Sequence, residues 1–338
     1  MTEGTVPQPS FTLGVDLGKD ALVACLLDGR GGEVKPPTEF KTTPAGLRKL
    51  VKWMVEPART RVVFESTGVY GKRLIIALDH IVASLHQLNP KIVKRRAATS
   101  IQTKTDHADA RAIARVGHDL ALTQPEVLLH ATVRFDPLME DLALWLAEFQ
   151  RVSSTVSTLK VQIQTVECNP APAAKAILAR MRRELAQAER RKEEVCELME
   201  AATVRADAAR EKLLRSIPGI GPVGAAALLC KVGDVRRFES ADALKGYLGI
   251  YPRRIQSGKH EARSRMATHG SDAVRSALWN CAKSASKCNG RCVALYERLS
   301  AAGKHAASCY GAVCRLLVQL VYGVLKSHQP FREISPAT

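Results

Sequence analysis

The sequence lacks a long hydrophobic segment. No run of 18 apolar residues occurs in the 338-residue chain, whereas a helix needs about 20 to cross a bilayer. The best candidate, residues 312–325, is interrupted by Arg315, which favours a buried C-terminal helix. The first ten residues also lack the basic region and apolar core of a signal peptide. These absences predict a cytoplasmic protein with no membrane partner.

The cysteines lack the spacing of a metal site or a disulfide framework. There are nine of them, no two in a C-x-x-C pair, and an odd number scattered through a long chain is a poor disulfide set. Five occur late in the chain near His305: Cys281, Cys288, Cys292, Cys309 and Cys314. We expect reduced thiols, with packing in a helical core favoured over structural zinc.

Acidic residues are scarce relative to basic ones. The chain has 50 Lys and Arg against 33 Asp and Glu, a formal charge of +17, and its pI is near 9.7. Such a balance is typical of proteins that bind nucleic acid or an anionic membrane. Since no membrane segment is evident, nucleic acid is favoured. The length allows two or three domains with a sizeable core.

Four of the acids occupy informative positions. Asp16 follows the apolar run 11–15 and Glu65 follows the run 61–64, so each is predicted where a buried strand meets its loop. Asp106 and Asp109 are three residues apart at the start of an Ala-rich helix and share one face. A single pair of aspartates with this spacing is common at helix starts. Strand ends of this kind gather at one rim of a sheet. Four acids at that rim would repel each other unless a divalent cation neutralised them, and carboxylate oxygens are ligands that suit Mg²⁺.

The predicted order of elements around these acids is strand, strand, strand, helix, strand, helix, strand, helix. The strands are predicted at residues 11–16, 21–27, 38–41, 61–65 and 81–88. The first two helices are predicted from Pro44 and over 72–79, and the third carries Asp106. This order is the ribonuclease-H plan.

A seven-residue period begins at Leu142. Two apolar series follow it, offset by three residues: Leu142, Phe149, Val156 and Ile163, and Trp145, Val152, Leu159 and Val166. Four unbroken heptads predict a coiled coil. After the break at 169–172, a looser run over 178–202 places Lys192 at an a position. The two runs could pair as an antiparallel hairpin, or the seam could close between chains, and we favour two-chain pairing.

The C-terminal third is strongly basic. Residues 211–338 contain 20 Lys and Arg against 8 Asp and Glu, and phosphate contact is the natural use of that charge. The stretch 216–224 has the form of a helix-hairpin-helix turn, in which Gly219 and Gly221 would let backbone N–H groups approach a phosphate. A plain Gly/Pro turn fits equally well.

Basic side chains surround one serine in this third. Ser257 lies among Arg253, Arg254, Lys259, Arg263 and Arg265. Its hydroxyl could be a nucleophile or a phosphate contact. Arg95 and Arg96 form a second basic group ahead of Asp106. We expect all seven basic residues to contact nucleic acid.

Several motifs resemble one family. Gly14-Val15-Asp16, the stretch 64–68 (F-E-S-T-G) and the stretch 104–111 (K-T-D-H-A-D-A-R), in this element order, resemble the RuvC-like domain of the DEDD insertion-sequence transposases, described as bridge-RNA-guided recombinases. The C-terminal part is similar to the transposase domain of that family. Its P-R-R-x-x-S-G stretch matches the family's catalytic serine at Ser257.

The resemblance implies a mechanism and partners. Asp16, Glu65, Asp106 and Asp109 would hold Mg²⁺ at the scissile phosphate, and Ser257 would form a phosphoserine link to DNA. The implied partners are donor and target DNA, a guide RNA and further copies of the chain, as a dimer or tetramer with a composite site. The implied fold is α/β plus α: a RuvC-like domain at 1–128, coiled-coil helices at 129–209 and a mainly helical transposase domain at 210–338.

Three other functions remain open from the residues. A structure-selective endonuclease of the Holliday-junction type would use the same four acids with water as the nucleophile. Residues 14–19 (G-V-D-L-G-K) also resemble the first phosphate loop of actin-like sugar kinases, but the later Gly-Gly-rich adenosine loop is not found. A non-catalytic nucleic-acid-binding protein is supported by the charge and opposed by the four acids.

Overall fold

The chain forms two compact units, Met1–Asp136 and Pro137–Thr338. The computed structural model describes residues 9–65, 70–97, 105–253, 256–257, 260–261, 265–266 and 271–333. Each unit is described below by itself. The division into three domains stays a prediction.

The first unit is built on one five-stranded sheet. Its strands are β1 Phe11–Leu17, β2 Ala21–Asp28, β3 Glu33–Lys41, β4 Thr60–Glu65 and β5 Ser84–Leu88. Its helices are α1 Pro44–Trp53, α2 Tyr70–Leu78, α3 Pro90–Ala97, α4 Asp106–Thr123 and α5 Pro125–His130. The spatial order is β3-β2-β1-β4-β5. The first three strands are antiparallel, and β4 and β5 run parallel to β1. This is the ribonuclease-H arrangement, and it confirms the predicted element order.

Helices cover both faces of this sheet, which explains why β1 and β2 are apolar almost throughout. On one face, Leu13, Val15 and Phe64 pack with the apolar sides of α1 and α2. On the other face, Val23 and Cys25 of β2 pack against α4. The alternation of side chains along each strand therefore assigns every residue of β1 and β4 to one of the two layers.

Two strand boundaries differ from the predictions. β3 extends from Glu33 rather than 38, and its pairing with β2 has register shifts near Leu26. It is an edge strand, and edge strands tolerate prolines such as Pro36 and Pro37, which hid the strand in the sequence. β5 begins at Ser84 rather than 81, because the chain turns after α2 at His80, whose φ is 63°. The helices α3 and α5 were also not predicted.

The second unit is mainly helical. Its helices are α6 Pro137–Glu167, α7 Ala174–Arg215, α8 Pro222–Val232, α9 Ala241–Leu248, α10 Asp272–Cys288, α11 Gly290–Ala301 and α12 Ala306–Ser327. Four two-residue strands lie between α9 and α10: β6 Pro252–Arg253, β7 Gln256–Ser257, β8 His260–Glu261 and β9 Arg265–Met266. The main core is formed by apolar residues of α8, α10 and α12, such as Leu228, Leu278 and Val318.

The two heptad-bearing helices, α6 and α7, pack against each other as an antiparallel hairpin. Every residue of the two heptad series in α6 is buried or half-buried. Four ion pairs of 2.8 Å join the helices: Glu167–Arg182, Lys160–Glu189, Glu148–Arg191 and Asp141–Arg205. The preference for two-chain pairing is therefore wrong for the face of α6 that α7 covers. The short connection at 168–173 makes closure within one chain entropically cheap.

Helix α7 is broken at Asp207, where φ is −164° and ψ is 87°. The Asp207 carboxylate accepts hydrogen bonds from the backbone N–H of Arg210, at 2.8 Å, and from its Nε, at 2.5 Å. The side chain thus caps the last turns of α7 as an N-cap would. The break lies three residues before the start of the predicted third domain at 210.

The late cysteines lie in the helical core, as the sequence predicts, with the exception of the exposed Cys288. Burial raises the pKa of Cys292 to about 11 and that of Cys314 to about 12, so both are neutral thiols. Helix α12 is long and apolar enough to cross a membrane, but 61% of its most apolar window is buried in the unit. Core helices of soluble proteins pass the same test, so this is weak evidence of a membrane span.

His86 generates a prediction about stability and pH. Its Nδ1 donates to the carbonyl oxygen of Leu128 and its Nε2 accepts from the Ser84 hydroxyl, both at 2.8 Å. Burial lowers the pKa of His86 from 6.5 to about 4. The folded state therefore resists protonation that the unfolded state accepts, and stability is lost as the pH falls from 6.5 towards 4. The expected loss at pH 5 is about 2 kcal/mol.

The measurement is chemical denaturation at pH 8 and pH 5, followed by Trp53 fluorescence after the other two tryptophans, Trp145 and Trp279, are replaced by Phe. His86→Gln should remove this part of the pH dependence. His130→Gln, at an exposed position, is the matched control and should keep it. Equal pH dependence in both variants would refute the assignment.

Candidate functional site

Asp16 and Glu65 lie on neighbouring strands at the same end of the sheet. β1 and β4 are parallel with Val15 opposite Phe64, so the next residues, Asp16 and Glu65, follow side by side. Val15 and Phe64 belong to the core under α1 and α2. Because successive side chains alternate, Asp16 and Glu65 are on the opposite face, which α4 covers. Both acids are half-buried.

Asp106 and Asp109 lie in the first turn of α4. The turn is capped by Thr105, whose hydroxyl accepts a 3.2 Å hydrogen bond from the N–H of Ala108. Ala110, the residue after Asp109, lies in one buried cluster with Val23 of β2. Val23 is the register partner of Asp16. The first turn of α4 therefore meets the sheet at the rim that carries Asp16.

Glycines set the distance between α4 and the sheet. A Cβ on Gly14 of β1 would lie 2.2 Å from the backbone nitrogen of Ala114 and 2.5 Å from the carbonyl oxygen of Ala110. A Cβ on Gly117 of α4 would lie 2.5 Å from a methyl group of Val63 in β4. Real Cβ atoms do not approach this closely, so α4 can lie on β1 and β4 only because these residues are glycines.

An ion pair ties the start of α4 to the edge strand. Arg111 donates through Nε and Nη2 to the two carboxylate oxygens of Glu33 in β3, at 2.6 and 3.3 Å. The hydrogen bond from Arg111 holds the pKa of Glu33 below its usual value. Sequence reasoning missed this pair, since its members are 78 residues apart and no local pattern signals it. Arg111 stands out only as part of the D-x-x-D-A-R motif.

The four acids share a rim and a face without forming a closed cluster. Within the described residues, no group of three or more His, Cys, Asp and Glu side chains is gathered closely enough to hold a metal ion. The donor set is nonetheless all carboxylate oxygen, which fits a hard divalent cation. The adjacent stretches 66–69 and 98–104 lie outside the described residues.

The predicted basic residues of the first unit lie on α3, a helix that packs against α4. Arg95 is exposed. Arg96 is half-buried and donates to the Gln124 side chain at 2.5 Å. Both arginines therefore belong to the unit that carries the four acids.

Ser257 ends β7, where it is the register partner of His260 in β8. A second ladder pairs Arg253 of β6 with Arg265 of β9. Of Ser257, Arg253 and Arg265 only this backbone pairing is described, and Arg254, Lys259 and Arg263 lie outside the described residues. The ladders were not predicted, although a glycine-containing pair of residues between Ser257 and His260 is a recognised hairpin signal.

The predicted helix-hairpin-helix turn connects α7 to α8. Gly219 has a φ of 97°, and a Cβ there would lie 2.5 Å from the backbone of Ala285 in α10, so only glycine fits. Gly221 is the N-cap residue of α8 and has open space around it. A side chain would therefore fit at Gly221 but not at Gly219, and contact of either glycine with a phosphate stays a prediction.

Acids at the β1–β4 rim of a ribonuclease-H-like sheet suit metal-dependent cutting of nucleic-acid strands. A DEDD transposase model of the IS110 family matches residues 13–166. A second model, described as the transposase IS116/IS110/IS902 family, matches residues 211–297. The chain belongs to this family of DNA transposases, as its motifs predict.

Two named relatives are similar in sequence to nearly the whole chain. The pilin gene-inverting protein of Moraxella bovis is 26% identical over 94% of this chain and 97% of its own. The putative transposase y4qE of Sinorhizobium fredii is 26% identical over 93% and 88%. A T. thermophilus RuvC structure in complex with a Holliday junction substrate is 16% identical and covers 34% of this chain and 96% of its own, with a TM-score of 0.27. A score that low supports no argument about this chain.

The glycine contact under α4 generates a second prediction. Gly14→Ala should displace the helix, lower the free energy of unfolding of the first unit by about 2 kcal/mol or more, and abolish DNA strand cleavage. Gly246→Ala in α9, where a Cβ meets nothing within 4 Å, is the control and should be neutral or slightly stabilising. Denaturation and a strand-cleavage assay measure both effects. Wild-type stability and cleavage in Gly14→Ala would contradict the role of the contact.

Proposed function

We propose that this protein is an RNA-guided recombinase that cuts and rejoins DNA when a mobile element moves, through a Mg²⁺-dependent four-acid site and a serine nucleophile. One observation carries the proposal. Asp16 and Glu65 share the β1–β4 rim on the face covered by α4, and the first turn of α4 brings Asp106 and Asp109 to that rim. Family membership and the named relatives support the DNA rearrangement.

The chain supplies two kinds of group to this chemistry. The sheet fixes Asp16 and Glu65, and α4 presents Asp106 and Asp109, so that carboxylates from both layers would hold the metal. When bound, Mg²⁺ would stabilise negative charge on the transferring phosphate. The Ser257 hydroxyl would attack the DNA phosphorus, and its proton would pass to the DNA oxygen that leaves. The Oγ–P bond would form as a P–O bond to the DNA breaks, leaving a free DNA hydroxyl. The free energy of the DNA phosphodiester bond would be conserved in the phosphoserine bond and would be available when the strands are rejoined.

The proposed partners are donor DNA, target DNA, a guide RNA and further copies of the chain, in the cytoplasm. The net charge of +17 supports a large polyanionic partner. The family resemblance supports the guide RNA and a dimer or tetramer. RNA that copurifies with the protein and the mass of the particle in solution are the measurements that decide these two points.

The four-acid site yields a third prediction. Asp16→Ala and Asp109→Ala should each lower strand cleavage at least a hundredfold and weaken Mg²⁺ binding measured by calorimetry, because each removes a ligand oxygen. Their stability should change by no more than about 1 kcal/mol, since repulsion among the acids is relieved while Asp109 also loses its contact with the helix dipole.

The matched control is Asp119→Ala. This acid is exposed on the same helix, α4, and its loss should leave cleavage and Mg²⁺ binding unchanged. Full cleavage activity in both Asp16→Ala and Asp109→Ala would overturn the metal-site assignment.

Ser257 yields a fourth prediction. Incubation with substrate DNA and Mg²⁺ should produce a covalent protein–DNA adduct that survives denaturing electrophoresis, and Ser257→Ala should abolish it. Ser300→Ala, exposed on α11, is the control and should retain the adduct. An endonuclease that uses water would cut DNA with no adduct and would remain active as Ser257→Ala. That result would replace the recombinase with the nuclease alternative.

A further inference from the structure

The second unit contains a cleft of about 750 Å³ between the α6–α7 hairpin and the helices α8 and α10. We propose that this cleft binds the phosphodiester backbone of a nucleic acid, with Lys192 as its cation. The proposal rests on the proposed nucleic-acid function and assigns a specific contact surface to it. Among the described residues, three features of the lining carry it: a lysine in an apolar seam, polar side chains on two facing walls, and only one acidic side chain, which is paired with an arginine.

Lys192 occupies a position where an apolar residue is expected. It lies at an a position of the second heptad run, and a lysine there costs stability. It is half-buried, and its ammonium lies 5.6 Å from the centre of the Phe149 ring. Across the described residues it makes no ion pair with a carboxylate. A cation kept in a seam without an anionic partner, and lining a cleft, is suited to an anionic ligand.

Neutral polar side chains lie among the apolar residues of the cleft walls. On α10, Ser276, Asn280 and Ser284 line the cleft and follow one another at four-residue intervals, so they share one face of the helix. On α6, Ser154 lies on the facing wall. Hydroxyl and amide groups of this kind are common donors to phosphate oxygens.

Negative charge in the described part of the lining is limited to one exposed side chain. Asp272 is the acidic residue among the side chains that line the cleft, and it pairs with Arg275. The start of α8, after Gly221, also lines the cleft and adds the positive end of a helix dipole. The volume exceeds that of one phosphate group, and the donors are spread over facing walls. A length of backbone therefore fits better than a small free anion.

Lys192→Met separates this role from a structural one and gives a fifth prediction. A methionine at an a position should keep or raise the melting temperature of the full-length protein. The same change should weaken nucleic-acid binding about tenfold and reduce the slope of log affinity against log salt by about one. Lys160→Met removes the same charge from an exposed position of the hairpin, where Lys160 pairs with Glu189. It should leave affinity and salt slope near wild type.

A second variant tests the opposite wall. Ser276→Asp places a negative charge at an exposed position of α10, so it should leave folding unchanged and weaken binding by repulsion of phosphate. If Lys192→Met does not fold, this variant decides alone. Wild-type affinity in Ser276→Asp, or in a folded Lys192→Met, would overturn the proposal.

Whether the cleft binds DNA or RNA is decided by measuring the affinity of each variant for a DNA duplex and for a single-stranded RNA of equal length. A loss confined to one ligand supports the cleft and assigns it to that nucleic acid. A loss with both supports a shared backbone contact. If the wild-type protein binds neither ligand, the proposed nucleic-acid function fails instead. If it binds and the variants do not differ from it, only the cleft assignment fails.

Discussion

The close contact between α4 and the sheet is the constraint on which the candidate active site depends. Gly14 lies so near Ala110 and Ala114 that a single added carbon would overlap the helix backbone. This close approach places the first turn of α4 at the rim of the sheet where β1 and β4 end. The ion pair between Arg111 and Glu33 ties the next turn of α4 to the edge strand. The acids therefore depend on backbone packing beneath them for their placement.

The second unit is held together mainly by apolar packing, and one lysine interrupts that packing. The α6–α7 hairpin buries an apolar seam and is joined by ion pairs on its surface, which contribute little individually. Lys192 departs from that pattern, and polar residues of α6 and α10 line the cleft beside it. Polar groups that weaken packing are usually kept because they bind something. A cleft that combines Lys192 with hydroxyl and amide side chains suits the polyanionic substrates of a DNA transposase.

Much of the fold was predictable because its signals are local. Strands β1, β2 and β4, helix α4 and the heptad helices each follow from the spacing of hydrophobic and small residues along the chain. The acids could be nominated because each ends or starts one of these elements. β3, with its edge prolines, and the short ladders around Ser257 could not, since their pairing depends on neighbouring strands more than on their own composition.

The sequence by itself determined the order of elements and the seam positions, because hydrophobic spacing selects helix or strand within a few residues. Only the tertiary structure decided which chain segment covers the seam of α6, since heptad spacing is the same for a partner in the same chain or another. It also decided that Asp16 and Glu65 face α4, and that Arg111 reaches Glu33. Such relations join distant parts of the chain, and packing in three dimensions alone determines them.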